Sequence, residues 1–385
     1  MFKKRNDYTR QKSTKVVTNF QKIYSILIEV FRIILGLVFV FSGFVKAIDP
    51  SGNTYKIQDY LTAFGGSFAN LTSLAFIAAI ALSTFELLIG LCFLFKVKLK
   101  TTSIFALLFM LVMLPLTLYI AIKNPVTDCG CFGDALKLSN WETFFKNVVL
   151  IILVISLLLN IKKLHNIFLP KMEWFLILFF VLAGVGISMY SNLHLPMIDF
   201  LPYKVGVNIP EAMKVPEGKP TDKFDTKFIY EKYGVQQEFT LNNYPKNDST
   251  WKFVDQKTVL ISKGFEPPIH NFIIEDEQGN DVTYDVISYE GISNLVVMFD
   301  LTKASKEGIE KAQTLYNQTK SNGEQFYALT GASDDEISKF VQQTKVTFPL
   351  YKVDGTTLKT IIRANPGFVK IKNGTITGKW NWRDF

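Results

Sequence analysis

The stretch YSILIEVFRIILGLVFVFSGFVKAI, residues 24–48, decides the fold class of this chain. A membrane-crossing helix needs about 20 predominantly apolar residues, because its backbone must satisfy its own hydrogen bonds across the hydrocarbon. Four further stretches meet this requirement, at residues 71–95, 102–122, 144–161 and 174–195. The basic leader before residue 24 is long and no small-residue cleavage pattern follows, so we expect the first stretch to stay in the mature protein. The sequence therefore predicts a membrane α-helical bundle.

The apolar residues are concentrated in the first half of the chain. The 385 residues are 48% hydrophobic with a mean hydropathy of +0.19, yet the part after about Pro196 has the composition of a soluble protein. The net charge of +8 does not indicate nucleic-acid binding, because the basic residues lie in the leader and in short loops between apolar stretches. We expect membrane lipids rather than nucleic acid as partners. Three cysteines and three histidines favour neither a disulfide scaffold nor a metal site.

Lysines and arginines in the loops predict the orientation. The leader at residues 1–22 and the loops at 96–100 and 162–171 are basic, whereas the loops at 49–70 and 123–140 carry less positive charge. By the positive-inside rule, the leader is cytoplasmic and the region after the fifth span is outside. We therefore predict a protein of the inner (cytoplasmic) membrane with a periplasmic C-terminal region.

Three ionisable residues inside the predicted spans are candidates for pairing or function. Glu29 and Arg32 are one helical turn apart, so they can pair. Glu86 lies within the second span, where a carboxylate is costly and indicates either a functional site or an interior ion pair. Arg32 is the candidate partner for that ion pair, and the sequence leaves both interpretations open.

The sharpest local signal is the loop DCGCFGD, residues 128–134, between the third and fourth spans and on the outside. Cys129 and Cys131 are close enough for a disulfide, and Gly130 can take the backbone angles of so small a ring. Such a ring is strained and readily reduced, and the outside is where disulfides persist. We interpret the two cysteines as a catalytic redox pair; the alternatives are a structural clip or two inert thiols. Cys92, inside the second span, is expected to be a buried small hydrophobe.

Two stretches carry a family resemblance. Residues 32–46, RIILGLVFVFSGFVK, resemble the opening helix of the DoxX family, and the DCGCFG loop at 128–133 resembles the related MauE (methylamine utilisation) proteins. The whole arrangement is similar to longer DoxX-family proteins of the Bacteroidota. The resemblance implies a four-helix redox-associated membrane domain at residues 23–165, followed by a fifth transmembrane helix at 172–195. By resemblance alone, the bundle would also connect to a membrane quinone.

Two modules are predicted after the fifth span. Residues 196–262 contain short strand-like stretches and a Tyr233-Gly234 turn, which indicates a small β-rich module. Residues 263–385 alternate strands with helices and end in a hairpin around an Asn-Gly turn, which indicates an α/β domain. The order of elements resembles the thioredoxin fold, with Pro366 where a cis-proline is usual. An unrelated small α/β domain, with Pro366 as an ordinary turn proline, is the alternative.

The predicted elements of this domain can be stated by position. We expect helices at residues 305–321 and 334–344. The predicted strands lie at residues 269–274, 281–284, 294–300, 324–329 and 347–351. The thioredoxin family's Cys-x-x-Cys would follow the third of these strands, and no cysteine is there. We therefore expect the domain to bind or position an extracytoplasmic partner protein rather than to exchange disulfides itself.

Two functions are compatible with these features. The first is envelope thiol–disulfide or quinone-linked redox chemistry through Cys129 and Cys131. The second is a non-enzymatic membrane scaffold or accessory subunit in which the cysteines only clip a loop. A transporter is a weaker third interpretation, and its support would be the intramembrane candidates Glu29, Arg32 and Glu86.

Overall fold

The computed structural model describes residues 2–126, 129–164, 167–220, 223–240, 243–246, 248–262 and 264–385. The chain divides into two compact units. The first contains residues 1–201 together with 380–385, and the second contains residues 202–379.

Six α-helices build the described part of the first unit, and five of them are long and apolar enough to cross a membrane. The helices are α1 (Phe2–Ile48), α2 (Pro50–Phe64), α3 (Ala75–Leu94), α4 (Leu99–Lys123), α5 (Asn140–Leu159) and α6 (Pro170–Leu193). The apolar spans are Lys22–Ile48, Phe68–Leu94, Leu99–Lys123, Asn140–Leu159 and Pro170–Leu193. The five predicted spans are confirmed as apolar helices, each within a few residues of its expected bounds.

The region between the first two spans differs from the expected loop. Asp49 follows the last residue of α1 and is the N-cap of the next helix. Its carboxylate accepts a hydrogen bond of 2.8 Å from the backbone N–H of Gly52. Pro50 follows at the first position of α2, where its missing N–H costs nothing. A 3₁₀ helix, Gly66–Leu74, then leads into α3. The short helix α2 matters for the site described below, since it contributes a tyrosine to it.

Glycine lets α1 and α3 pack with their backbones in contact. A Cβ atom on Gly43 would lie 2.7 Å from the Leu87 Cα atom and 2.8 Å from the Ser83 carbonyl oxygen. A Cβ atom on Gly90 would clash with the backbone nitrogen of Val40 in the same way. Small residues at a helix interface are the usual means by which membrane helices approach closely. This contact fixes the spacing of the two helices that carry the charged residues of the site.

The second unit contains a three-stranded antiparallel sheet. Its strands are β1 (Lys223–Lys232), β2 (Val235–Thr240) and β3 (Lys252–Ser262), in the order β2-β1-β3. Tyr233 and Gly234 connect β1 to β2 with positive φ angles of 53° and 80°. Two successive residues with positive φ are typical of the tight turns that favour hairpins.

A five-stranded mixed sheet follows, in the order β6-β5-β4-β7-β8. Strands β4, β5 and β6 are parallel, whereas β7 runs antiparallel to β4. The strands are β4 (Ile292–Val297), β5 (Gln325–Thr330), β6 (Leu350–Lys352), β7 (Gly367–Lys372) and β8 (Thr375–Asn381). The helices of this unit are α7 (Ile209–Ala212), α8 (Thr283–Ile287), α9 (Lys306–Asn322), α10 (Asp334–Thr344) and α11 (Gly355–Ile361).

Two predicted strands of this domain are wrong. Residues 269–274 form no strand, and the stretch expected as a strand at 281–284 instead begins α8. An isolated antiparallel bridge joins Glu275 to Asp281, and side chains bind neighbouring backbone groups. Asp281 accepts a hydrogen bond from the Thr283 N–H at 2.9 Å, and the Thr283 hydroxyl accepts one from the Ile274 N–H at 2.8 Å. Aspartate and threonine compete with regular backbone pairing in this way.

Candidate functional site

Cys129 and Cys131 lie side by side in the loop between α4 and α5, with their Sγ atoms 3.1 Å apart. Both residues are half-buried free thiols. Gly130 between them has a φ of 62°, a conformation that side chains rarely adopt, and Gly133 donates a hydrogen bond of 3.0 Å to the Gly130 carbonyl. The turn brings the two thiols together, as their spacing in the sequence predicts.

Two hydroxyl groups from different helices hold the backbone of this loop. Tyr60 of α2 donates a hydrogen bond of 2.6 Å to the Cys129 carbonyl oxygen. Ser42 of α1 donates one of 2.7 Å to the Cys131 carbonyl oxygen. The loop is therefore anchored on both sides of Gly130, and Cys131 is drawn towards α1.

A buried ion pair lies directly beneath Cys131. The Lys46 ammonium contacts both oxygens of the Glu86 carboxylate, at 2.8 and 2.9 Å, and the two side chains are only 6% and 4% exposed. The Ser42 hydroxyl lies 2.7 Å from the same carboxylate. Ser42 thus links the ion pair to the cysteine loop.

The interior ion pair expected between Glu86 and Arg32 is wrong. Lys46 is the partner of Glu86, and Arg32 lies 14 residues earlier on α1, roughly 21 Å away along a helix axis. The sequence does not indicate Lys46 as this partner, because Lys46 closes an apolar stretch, where a lysine side chain ordinarily extends to the membrane surface. The signal that could have found it is the spacing of Ser42 and Lys46, which puts both on one face of α1.

Arg32 belongs to a separate cluster near the other end of the bundle. Its guanidinium donates a hydrogen bond of 2.8 Å to Glu29, the neighbour expected from the one-turn spacing. Glu29 also accepts one of 2.6 Å from Lys96, and Arg32 donates to the carbonyl oxygens of Phe93 and Leu94 at the end of α3. Arg32 therefore satisfies the last carbonyls of a helix, which is a structural role.

Residues 24–160 match the family described as "Methylamine utilisation protein MauE". Residues 24–160 are MauE-like. The matched range contains the cysteine loop, Ser42, Lys46 and Glu86, together with four of the five apolar helices. Residues 224–263, which cover the three-stranded sheet, match a domain of unknown function, DUF8463. No curated protein and no solved structure matches the chain.

The two thiols of the MauE-like bundle (residues 24–160) have opposite pKa shifts. A hydrogen bond from Cys129 lowers the pKa of Cys131 to about 6, and the charges of Lys146 and Lys46 act in the same direction against burial and Glu86. The same hydrogen bond raises the pKa of Cys129, and burial raises it further. The opposite shifts favour the proton on Cys129 and the thiolate on Cys131.

Lys146 was not singled out from the sequence. It lies on α5, half-buried, with its ammonium 4.4 Å from the centre of the Phe132 ring. An ammonium over an aromatic face is attracted by the ring, so Phe132 holds this charge close to the cysteine loop. The residue could have been suspected as a lysine inside a predicted span.

Cys131 and residues of the surrounding helices line a small cavity. Its volume is about 40 Å³, and Ser42, Lys46, Glu86 and Lys146 line its polar side. A buried water needs roughly 10–15 Å³, whereas pockets for drug-sized ligands measure about 300–1,000 Å³. The cavity has room for a few water molecules but is too small for the ring of a quinone. The residues that line it therefore do not fit a quinone.

In the second unit, Pro366 follows a cis peptide bond from Asn365, just before β7. The Asn365 side chain donates a hydrogen bond of 2.7 Å to the Asp300 carbonyl oxygen, in the turn after β4. No cysteine lies between residues 202 and 379. The three cysteines of the sequence therefore all lie within residues 24–160.

Proposed function

We propose that this protein exchanges disulfides with protein thiols at the outer face of the cytoplasmic membrane, through Cys129 and Cys131. The observation that supports this most is the position of the two Sγ atoms, 3.1 Å apart and next to the Lys46–Glu86 pair. Disulfide exchange requires a thiolate, and the surroundings lower the pKa of Cys131 to about 6. A static clip has no need of a thiolate.

The orientation is part of the proposal. The basic loops at residues 96–100 and 162–171 support a cytoplasmic N-terminus, and five spans would then put the second unit on the opposite side of the membrane. The cysteine loop and the second unit would then both face the periplasm, where disulfides are formed and exchanged.

For residues 263–385 we propose a thioredoxin-like domain that has lost its cysteine pair. The support is the strand order β6-β5-β4-β7-β8, with three parallel strands and an antiparallel hairpin. Without cysteines, such a domain would bind or position a partner protein whose thiols react at the bundle.

Trapping of a mixed disulfide tests the proposed function. Exchange proceeds through a covalent intermediate, so removal of one cysteine leaves the other bonded to its partner. We expect a reducible adduct of higher mass on non-reducing gels from at least one of the variants Cys129→Ser and Cys131→Ser. Cys92→Ser, which removes a buried thiol of the bundle, is the matched control and should give none.

The second candidate function is a membrane scaffold in which the cysteines are a clip. The hydrogen bonds from Tyr60 and Ser42 favour this scaffold function, because they hold the loop backbone in place without involving the thiols. In that case no adduct forms, and the double cysteine variant keeps full activity. The loss of so short a clip would cost little stability, since the entropic gain from a disulfide shrinks with the loop that it closes.

A further inference from the structure

The two cysteines of the pair have different surroundings. Cys131 lines the cavity that Lys46, Lys146 and Ser42 also line, whereas Cys129 does not. The Cys129 carbonyl oxygen is held instead by Tyr60 of α2, the helix that lies outside the five spans. One sulfur thus belongs to the interior of the bundle and the other to its rim.

On the basis of the proposed function, we propose that Cys129 is the sulfur that bonds to the partner protein and Cys131 is the sulfur that leaves. The leaving sulfur would be released towards the ammonium groups of Lys46 and Lys146. The substrate class is a protein dithiol, and the direction of the reaction is oxidation of that dithiol by the Cys129–Cys131 disulfide.

The exchange balances without a further reactant. A thiolate of the partner attacks the Cys129 Sγ atom, a new S–S bond forms, and the Cys129–Cys131 bond breaks with its electron pair left on the Cys131 Sγ atom. The second thiolate of the partner then attacks the sulfur of its own mixed disulfide. This step forms the partner's disulfide and releases the Cys129 sulfur, which takes up a proton. The partner loses two electrons and the cysteine pair gains them.

The assignment of the leaving sulfur follows from the charges around it. A leaving thiol of lower pKa departs faster, and a cation near it stabilises the thiolate that it becomes. Glu86 neutralises Lys46 at 2.8 Å, so the net positive charge at this place comes from Lys146. Lys146 does not contact the partner; it is a positioning residue that acts through Cys131.

The same charges favour electron transfer from the partner's dithiol to the cysteine pair. Stabilisation of the Cys131 thiolate favours the reduced form of the pair over its disulfide, and a pair whose reduced form is stabilised is the more oxidising one. The disulfide ring with one intervening residue is strained, which acts in the same sense. The structure therefore favours a disulfide donor over a reductase.

The first test is the asymmetry of the trapped adduct. With purified full-length protein and a disulfide-bonded probe protein, Cys131→Ser should give the adduct: in the reverse of the proposed exchange, the Cys129 thiolate attacks the probe disulfide, releases the other probe sulfur as a thiolate, and stays bonded because Cys131 is absent. Cys129→Ser should give less than a tenth of it. Equal adducts from both variants, or an adduct from Cys129→Ser alone, would overturn the assignment. The absence of any adduct would instead remove the proposed function itself.

The second test measures the charge at Cys131 directly. In the Cys129→Ser background, the rate of alkylation of Cys131 reports its thiolate fraction, which is lost as the pH falls through its pKa. Lys146→Met should slow alkylation about tenfold at pH values below the transition, the effect of one pKa unit. Lys146→Arg should restore the rate, because it keeps the charge.

Lys137→Met is the matched control, since Lys137 is an exposed lysine of the same loop. It should leave the pH profile unchanged. A profile that Lys146→Met does not move, in protein that elutes from size-exclusion chromatography like the parent, would contradict the role of Lys146.

Discussion

Lys46 carries a positive charge into the interior of the MauE-like bundle, where Glu86 accepts both of its hydrogen bonds. Two charges this deeply buried gain little over a well-packed apolar pair, because both lose their hydration. The removal of one partner is far more costly, since the other charge is left buried and uncompensated.

Single and double variants at Lys46 and Glu86 should therefore differ in their free energy of unfolding. Lys46→Met and Glu86→Gln should each lower the free energy of unfolding by about 3–5 kcal/mol. The double variant should recover most of that loss, because no uncompensated charge remains. Thermal unfolding in detergent, with Lys137→Met as the exposed control, measures the difference. If the losses of the two single variants simply add in the double variant, the pair is not coupled.

At this scale the sequence indicates which residues need partners, but not which residues supply them. Glu86 is recognisable as a costly carboxylate, and the adjacency of Cys129 and Cys131 follows from their spacing. The partner of Glu86 lies 40 residues away along the chain, so it depends on how α1 packs against α3. The packing of α5 against the cysteine loop likewise brings Lys146 close to Cys131, and no local sequence pattern predicts this proximity.

Among the helices, the contact between α1 and α3 is the one that the site depends on. Their backbones meet at Gly43 and Gly90, where a Cβ atom would overlap backbone atoms of the opposite helix. Membrane helices associate largely by such close packing, because lipid supplies no hydrophobic drive between them.

Substitutions at these glycines test the contact. Gly43→Ala and Gly90→Ala should each destabilise the bundle by at least about 1–3 kcal/mol, because the added methyl groups force the backbones apart. Both should also change the rate of alkylation of Cys131, since Ser42, whose hydroxyl holds the Cys131 carbonyl oxygen, moves with α1. Gly186→Ala on α6 is the control, because a Cβ atom there would have no neighbour within 4 Å. Equal melting temperatures for all three variants would refute the argument.

The elements that the sequence predicts well are those with a local cause. The five spans follow from the length of apolar stretches, and α10 has the bounds expected from its periodicity. The predicted loop at 49–70 fails because α2 has a mixed polar and apolar composition that resembles a loop. The failure at 269–284 has a different cause, since strand pairing there is limited to an isolated bridge at Asp281, and side-chain hydrogen bonds of Asp281 and Thr283 bind neighbouring backbone groups.

For the whole molecule, the proposed orientation determines whether the proposed function is available at all. Thiol–disulfide exchange with exported proteins requires the cysteine loop and the second unit on the same, outer side of the membrane. Loop charge predicts this arrangement, and labelling can test it.

A cysteine-free version of the chain, with Cys92, Cys129 and Cys131 replaced by Ser, provides the background for labelling. Ser321→Cys should react with a membrane-impermeant thiol reagent in intact cells whose outer envelope has been made permeable. Lys100→Cys should react only after the inner membrane is disrupted. Both positions are exposed in the structure, so a difference reports the side of the membrane and not burial. Labelling of Lys100→Cys alone in intact cells would reverse the orientation.

The distance along the chain between Lys46 and Glu86 has a consequence for biogenesis. Lys46 leaves the ribosome 40 residues ahead of the carboxylate that neutralises it, which at cellular synthesis rates of about 5–20 residues per second is a delay of seconds. During that interval the first helix carries a lone charge near its end, and a long lysine side chain can wait at the lipid–water boundary. Insertion of α3 then draws this charge inward. Nascent chains that stop short of Glu86 should keep Lys46 at the boundary, and membrane quality-control proteases should clear them faster than chains that contain both helices.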